Sequence, residues 1–223
     1  GAYAYYLQLT QGLGVTGMTD TVFWGIYIVN LIFFLGISYG GTLVSGILRI
    51  TGQGWRTPIT RISEAVTVCA LLVAVPMILV DIGRPERGLN ILLRGRIESP
   101  ILWDTISITT YLIGSLIFIY LSLIPDLAIC RDRLTTVHPL KRRLYKILAI
   151  GWTGSKNQIK RLNKSLFIIP IILVPVAISA HTALSWVFGV ATRVGWHSTI
   201  FGPYFVVAAI YSGVASIIVV IGI

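Results

Sequence analysis

The sequence predicts an all-α integral membrane protein, a multi-helix transmembrane bundle with five spans. Three observations lead there. Hydrophobic residues make up 55% of the 223 and charged residues only 12%, about half the charged share of a soluble domain. Mean hydropathy is +0.84. The apolar residues come in continuous runs of about 20 rather than alternating segments of about 10, which selects helices over a barrel.

Residues 1–21 are aromatic and glycine-rich and hold no Lys or Arg. They lack the basic start of a signal peptide and predict a segment lying at the interface or against a partner. Residues 22–223 form the bundle, with spans at about 22–48, 62–81, 102–124, 165–188 and 199–223. Each is long enough for a hydrocarbon core of about 30 Å. "GISYGGTLVSG" (Gly36 to Gly46) breaks the first span with small residues that permit close helix approach. Pro170 and Pro175 predict a kink in the fourth. Gly1 and the apolar ending "IIVVIGI" predict part of a longer chain with further helices.

A net charge of +10 in a soluble protein would suggest nucleic acid. Here the cations flank apolar spans, so no nucleic-acid partner is expected. Thirteen Lys and Arg fall in the loops at 49–61 and 126–164, against five on the opposite side. The bias makes the 126–164 loop cytoplasmic and the N-terminus exoplasmic, in a cell inner (plasma) membrane. That loop ("RDRLTTVHPLKRRLYKILAIGWTGSKNQIKRLNK") predicts a short amphipathic helix around Leu140–Ile150 facing anionic membrane lipids. Cys69 and Cys130 form no CxxC, so the chain ligates no iron–sulfur cluster alone and shows no disulfide framework.

Ionisable groups at membrane depth are costly and are functional candidates by default. Asp81 ends the second span, Asp104 opens the third, His181 lies two turns inside the fourth and His197 opens the fifth. Alternation of direction brings all four to the exoplasmic leaflet. Two carboxylates, two imidazoles and Arg84 suit a quinone head-group, whose oxygens need partners able to take protons. Trp103 and Trp196 offer an apolar wall. Each feature has a plainer reading. Asp81 with Arg84, and Glu64 with Arg61, stand three residues apart and predict ion pairs, the first at a helix end and the second snorkelling. Glu64 is otherwise a cytoplasmic proton-path residue. Asp104 complements a helix N-terminus, His197 is interfacial, and the Tyr39 hydroxyl bonds a neighbouring helix. Haem is not expected, because His181 lies about 10 Å deeper than His197. No metal site is expected either.

"WGIYIVNLIFFLGISYGGTLVSGILRI", "WRTPITRISEAVTV", "DIGRPERGLNILL…SPILWDTISITTYL" and "GWHSTIFGPYFV" resemble the membrane subunits of the polysulfide reductase (NrfD-like) family. The likeness is greatest to the quinol-oxidising membrane subunit of alternative complex III and related molybdopterin-type complexes. It implies eight to ten helices in a whole member. It also implies a haem-free and metal-free quinone site taking menaquinone or ubiquinone. The implied partners are an exoplasmic iron–sulfur subunit, molybdopterin-type and cytochrome c subunits, and a second membrane subunit. Asp81, Asp104 and His181 would handle quinol protons, with Arg84, Trp103, His197 and Tyr39 around the ring. The chain would then be a non-autonomous subunit of a quinol oxidoreductase in a respiratory chain, with proton release or translocation. The rivals are a multi-pass transporter or channel, and a structural anchor without its own quinone.

Overall fold

The computed structural model describes the chain except Phe23, Gln53, Gly54, Thr135, Thr136, Val137, Thr192, Arg193, Ser198, Ile223 and the side chains of Arg56 and Arg87. Arg193, counted in the charge bias, and the last residue of the fifth predicted span therefore lie outside the described residues. Eight α-helices occur among the described residues, and no strand. They are α1 (Ala2–Gln11), α2 (Ile26–Ile50), α3 (Arg56–Asp81), α4 (Leu89–Leu93), α5 (Pro100–Arg133), α6 (Pro139–Leu148), α7 (Lys156–Gly189) and α8 (Phe201–Gly222). Five of them, α2, α3, α5, α7 and α8, are long and apolar enough to cross a membrane. The protein is thus an all-α, multi-pass membrane bundle.

Helix is forced on these stretches because hydrocarbon offers backbone N–H and C=O groups no partner outside the segment. The ends are set by local chemistry. Pro100 and Pro139 stand at the first helical position of α5 and α6, where a missing N–H costs nothing. Ser155 and Gln158 form a reciprocal capping box at the start of α7. After Asp81 the chain turns through Gly83 at φ 72, and the Leu13 side chain occupies the space a Cβ would need there.

α2 is the central helix, packed on α3, α7 and α8. Its apolar window is 56% buried, against 17% for α8. Lipid is as apolar as leucine, so close packing and hydrogen bonds hold such helices together rather than exclusion of water. Gly40 and Gly213 supply the closest approach. A Cβ on either would run into the backbone of the other.

Two expectations change. The glycine-rich stretch does not break the first span; α2 runs unbroken through Gly36 to Gly46, because its glycines are used for contact with α8, α3 and α7. α7 carries both Pro170 and Pro175 within one helix. The 126–164 loop is shorter than hydropathy implied. α5 continues to Arg133 and α7 starts at Lys156, with α6 between them. Hydropathy marks where the apolar surface ends, whereas capping and the Arg131 bond to the Trp152 carbonyl (3.0 Å) let helix continue beyond it.

Candidate functional site

The run of small residues on α7 makes room for an imidazole. Ala177, Ala180 and Ala183 flank His181, which is 1% exposed. Its Nδ1 lies 3.4 Å from the Ala177 carbonyl oxygen. The tautomer protonated at Nδ1 donates to this carbonyl and leaves Nε2 as the acceptor. Nε2 is buried and has no partner among the described residues. The Tyr39 ring of α2 packs against this imidazole with centroids 5.1 Å apart. The Tyr39 hydroxyl is also buried and has no partner among the described residues, so the expected bond from it to a neighbouring helix is not formed.

His181 lines a cavity of about 370 Å³ between α2 and α8. Ile32, Gly36, Phe205, Ala208, Ala209 and Ser212 form its walls, with Val29, Phe33 and Tyr204 at its margin. The last three are 52–62% exposed, so the mouth opens on the outer surface of the bundle. The lining holds one imidazole, two hydroxyls and otherwise apolar groups. That suits a flat, largely apolar molecule that needs one buried proton acceptor. A more open cavity of about 600 Å³ lies on the other side of α8, against Thr182, Ser185 and Trp186 of α7.

A polar seam descends α2 from this point. Ser38, Thr42, Ser45 and Arg49 recur every three to four residues and so share one face. The Tyr111 hydroxyl on α5 bonds Ser38 (3.0 Å) and Thr42 (2.7 Å). Ser45 donates to Glu64 Oε1 (3.0 Å), as does Arg49 through Nη2 (2.6 Å). Arg49 also donates to Ser122 Oγ (3.0 Å) and sits over the Phe118 ring. The expected Glu64–Arg61 pair is therefore replaced. Glu64, 3% exposed, pairs across helices with Arg49, and Arg61 pairs with Asp126 of α5. Sequence reasoning missed Arg49, Thr42, Ser45 and Tyr111. Their signal was the helical spacing of polar residues within an apolar span.

The other predicted residues are spread around the opposite end. Asp81 closes α3 and, among the described residues, makes no ion pair with Arg84, which is exposed beyond the Gly83 turn. One residue earlier, the Val80 carbonyl accepts from the buried Gln8 amide of α1 at 2.6 Å. Asp104 lies one turn into α5 with Oδ1 buried and without a partner among the described residues. Trp103 is half exposed and donates Nε1 to the Ile97 carbonyl at 2.6 Å. His197 is exposed in the connection to α8, while Trp196 stacks on Phe188. No hydrogen bond or ion pair among the described residues joins Asp81, Asp104 and His181. Of the predicted set, His181 and Tyr39 are brought into contact.

The fold and cavity define a multi-helix membrane protein with a buried imidazole beside a cavity whose mouth opens on the surface of the bundle. Residues 14–223 match the sequence family described as polysulphide reductase, NrfD, and the chain belongs to that family. It is 30% identical to a putative dimethyl sulfoxide reductase membrane subunit of Halobacterium salinarum, over 99% of this chain and 47% of that one. It is 24% identical to a selenate reductase subunit of Mesobacillus selenatarsenatis, over 96% of this chain and 51% of that one. Half of this chain (51%) matches 28% of the Hdr-like menaquinol oxidoreductase integral membrane subunit of Archaeoglobus fulgidus at 25% identity. The chain thus spans about half the length of the first two relatives.

Proposed function

We propose that this chain is the quinone-reactive membrane subunit of a reductase complex, with the quinone head-group in the cavity beside His181. The carrying observation is that His181, whose Nε2 is buried and without a partner among the described residues, lines an apolar cavity that opens on the outer surface of the bundle. A quinol reaches such a site from the bilayer. Its hydroxyl donates to Nε2, and Tyr39 holds the ring from the α2 side. Oxidation of the quinol to quinone releases two electrons and two protons. His181 takes the first proton, and Asp104 and Asp81 at the same end of the bundle pass protons to the exoplasmic surface. Arg84, Trp103 and His197 surround that exit. The electrons pass to an iron–sulfur subunit docked on that face, and from it to a molybdopterin-type catalytic subunit. Two relatives named as reductase subunits and one named a menaquinol oxidoreductase subunit support this direction of flow and favour menaquinone. Glu64 and the seam from Arg49 to Ser38 serve as a proton path from the opposite side. The Lys and Arg bias supports a plasma membrane location with the N-terminus exoplasmic.

Quinone extracted from the purified complex should be stoichiometric, and His181→Ala should lose it while the complex still assembles. Unchanged quinone content and quinol turnover in that variant would overturn the site. A transporter would need helices broken around a midplane site, whereas α2 is continuous.

A further inference from the structure

α6 presents Leu140, Leu144 and Ile147 at 71%, 52% and 63% exposure. Their spacing of four and three places them in one narrow stripe. Lys141, Arg142, Arg143 and Lys146 are exposed beside it. Asp132 is the last acidic residue of the whole sequence, so no carboxylate within this segment neutralises these cations. A stripe of large aliphatics beside uncompensated cations is the pattern of a helix lying in the headgroup–acyl boundary.

Its attachment fixes the depth. The Tyr120 hydroxyl donates to the Leu148 carbonyl at 2.8 Å. Two residues further along α5, Ser122 accepts from Arg49 near the end of α2. The C-terminal end of α6 is therefore tied where the apolar spans finish, not out in water.

We propose that α6 is an interfacial anchor for anionic phospholipid on the Arg131–Lys164 side of the membrane, independent of any quinone chemistry. The stripe enters the acyl boundary, and the four cations contact headgroup phosphates of negatively charged lipids. A bilayer, rather than another subunit, is the occupant because α6 is tied to the membrane-crossing helix α5 and its charge complements an anionic leaflet.

The test uses the assembled full-length complex with a fluorophore on Leu144→Cys, in a Cys69→Ala, Cys130→Ala background. The complex is placed in nanodiscs of phosphatidylcholine alone or mixed with phosphatidylglycerol. In anionic discs, brominated lipid should quench the label and aqueous iodide should not. Replacing Lys141, Arg142, Arg143 and Lys146 with Gln should abolish the preference for anionic discs, each lost cation weakening insertion roughly fivefold. Ile147→Cys on the same stripe provides a second reporter if Leu144→Cys lowers the yield. Iodide quenching equal in both lipids, lipid quenching insensitive to charge, or a label shielded from both quenchers by a protein cover would each overturn the proposal.

Discussion

The Tyr39 phenol and the His181 imidazole meet at the α2–α7 contact with centroids 5.1 Å apart, and each keeps a buried polar atom without a partner among the described residues. Leaving one such atom unpaired costs about 1–3 kcal/mol. On the proposed site, a quinone oxygen would supply the partner that His181 Nε2 lacks, and His181 lines the cavity. Tyr39→Phe removes the orphan hydroxyl and keeps the ring. It should raise the thermal stability of the quinone-free protein while lowering quinol-dependent turnover by about tenfold, one hydrogen bond's worth. Stability and activity moving in the same direction would contradict the assignment.

His181 carries a larger share. Loss of a positioned proton acceptor typically lowers the rate by about 10²–10⁴-fold. His181→Gln retains a polar side chain but takes no proton at neutral pH. Turnover of the assembled complex should fall in that range, and quinone affinity should fall less. Steady-state rates across quinol concentrations separate the two effects.

The five spans were legible because hydrocarbon imposes length and apolarity on any crossing helix, and each of the five has both. Pairing was less legible. Glu64 and Arg61 are neighbours along one helix, yet the structure pairs Glu64 with Arg49 of α2 and Arg61 with Asp126 of α5. The reason is the close α2–α3 approach at Gly41, where a Cβ would meet Thr67 Oγ1 and the Ser63 carbonyl. The sequence shows the glycine but not which helix faces it. His181 was legible as an imidazole embedded among small residues; its cavity was not, because α8 supplies much of the lining.

The Arg49–Glu64 pair gives a stability prediction. With Glu64 at 2% and Arg49 at 13% side-chain exposure, removing one partner strands the other in low dielectric. Glu64→Gln should destabilise by about 3–5 kcal/mol. The double variant Glu64→Gln, Arg49→Met should recover much of that. Thermal unfolding in detergent across the four proteins of the cycle measures the coupling, expected at about 0.5–3 kcal/mol. Additive losses would mean that the ion pair contributes nothing of its own.

The last prediction concerns geometry rather than charge. Gly40 and Gly213 bring α2 and α8 so close that a Cβ on either would collide with the backbone of the other. Gly213→Ala therefore cannot be absorbed by turning a side chain, and the helices must separate. Overpacking of this kind costs about 1–3 kcal/mol. The separation has a second consequence, because the cavity beside His181 lies between these same helices, with Gly36 on α2 and Ala209 on α8 among its walls. Gly213→Ala should weaken quinone binding although the glycine is not itself a lining residue. Val207→Ala, on the outward face of α8 at 65% exposure in the wild type, should leave both stability and quinone content unchanged. Thermal unfolding with quinone content in the two variants checks the link. Normal quinone occupancy in a destabilised Gly213→Ala protein would show that the cavity does not depend on the crossing.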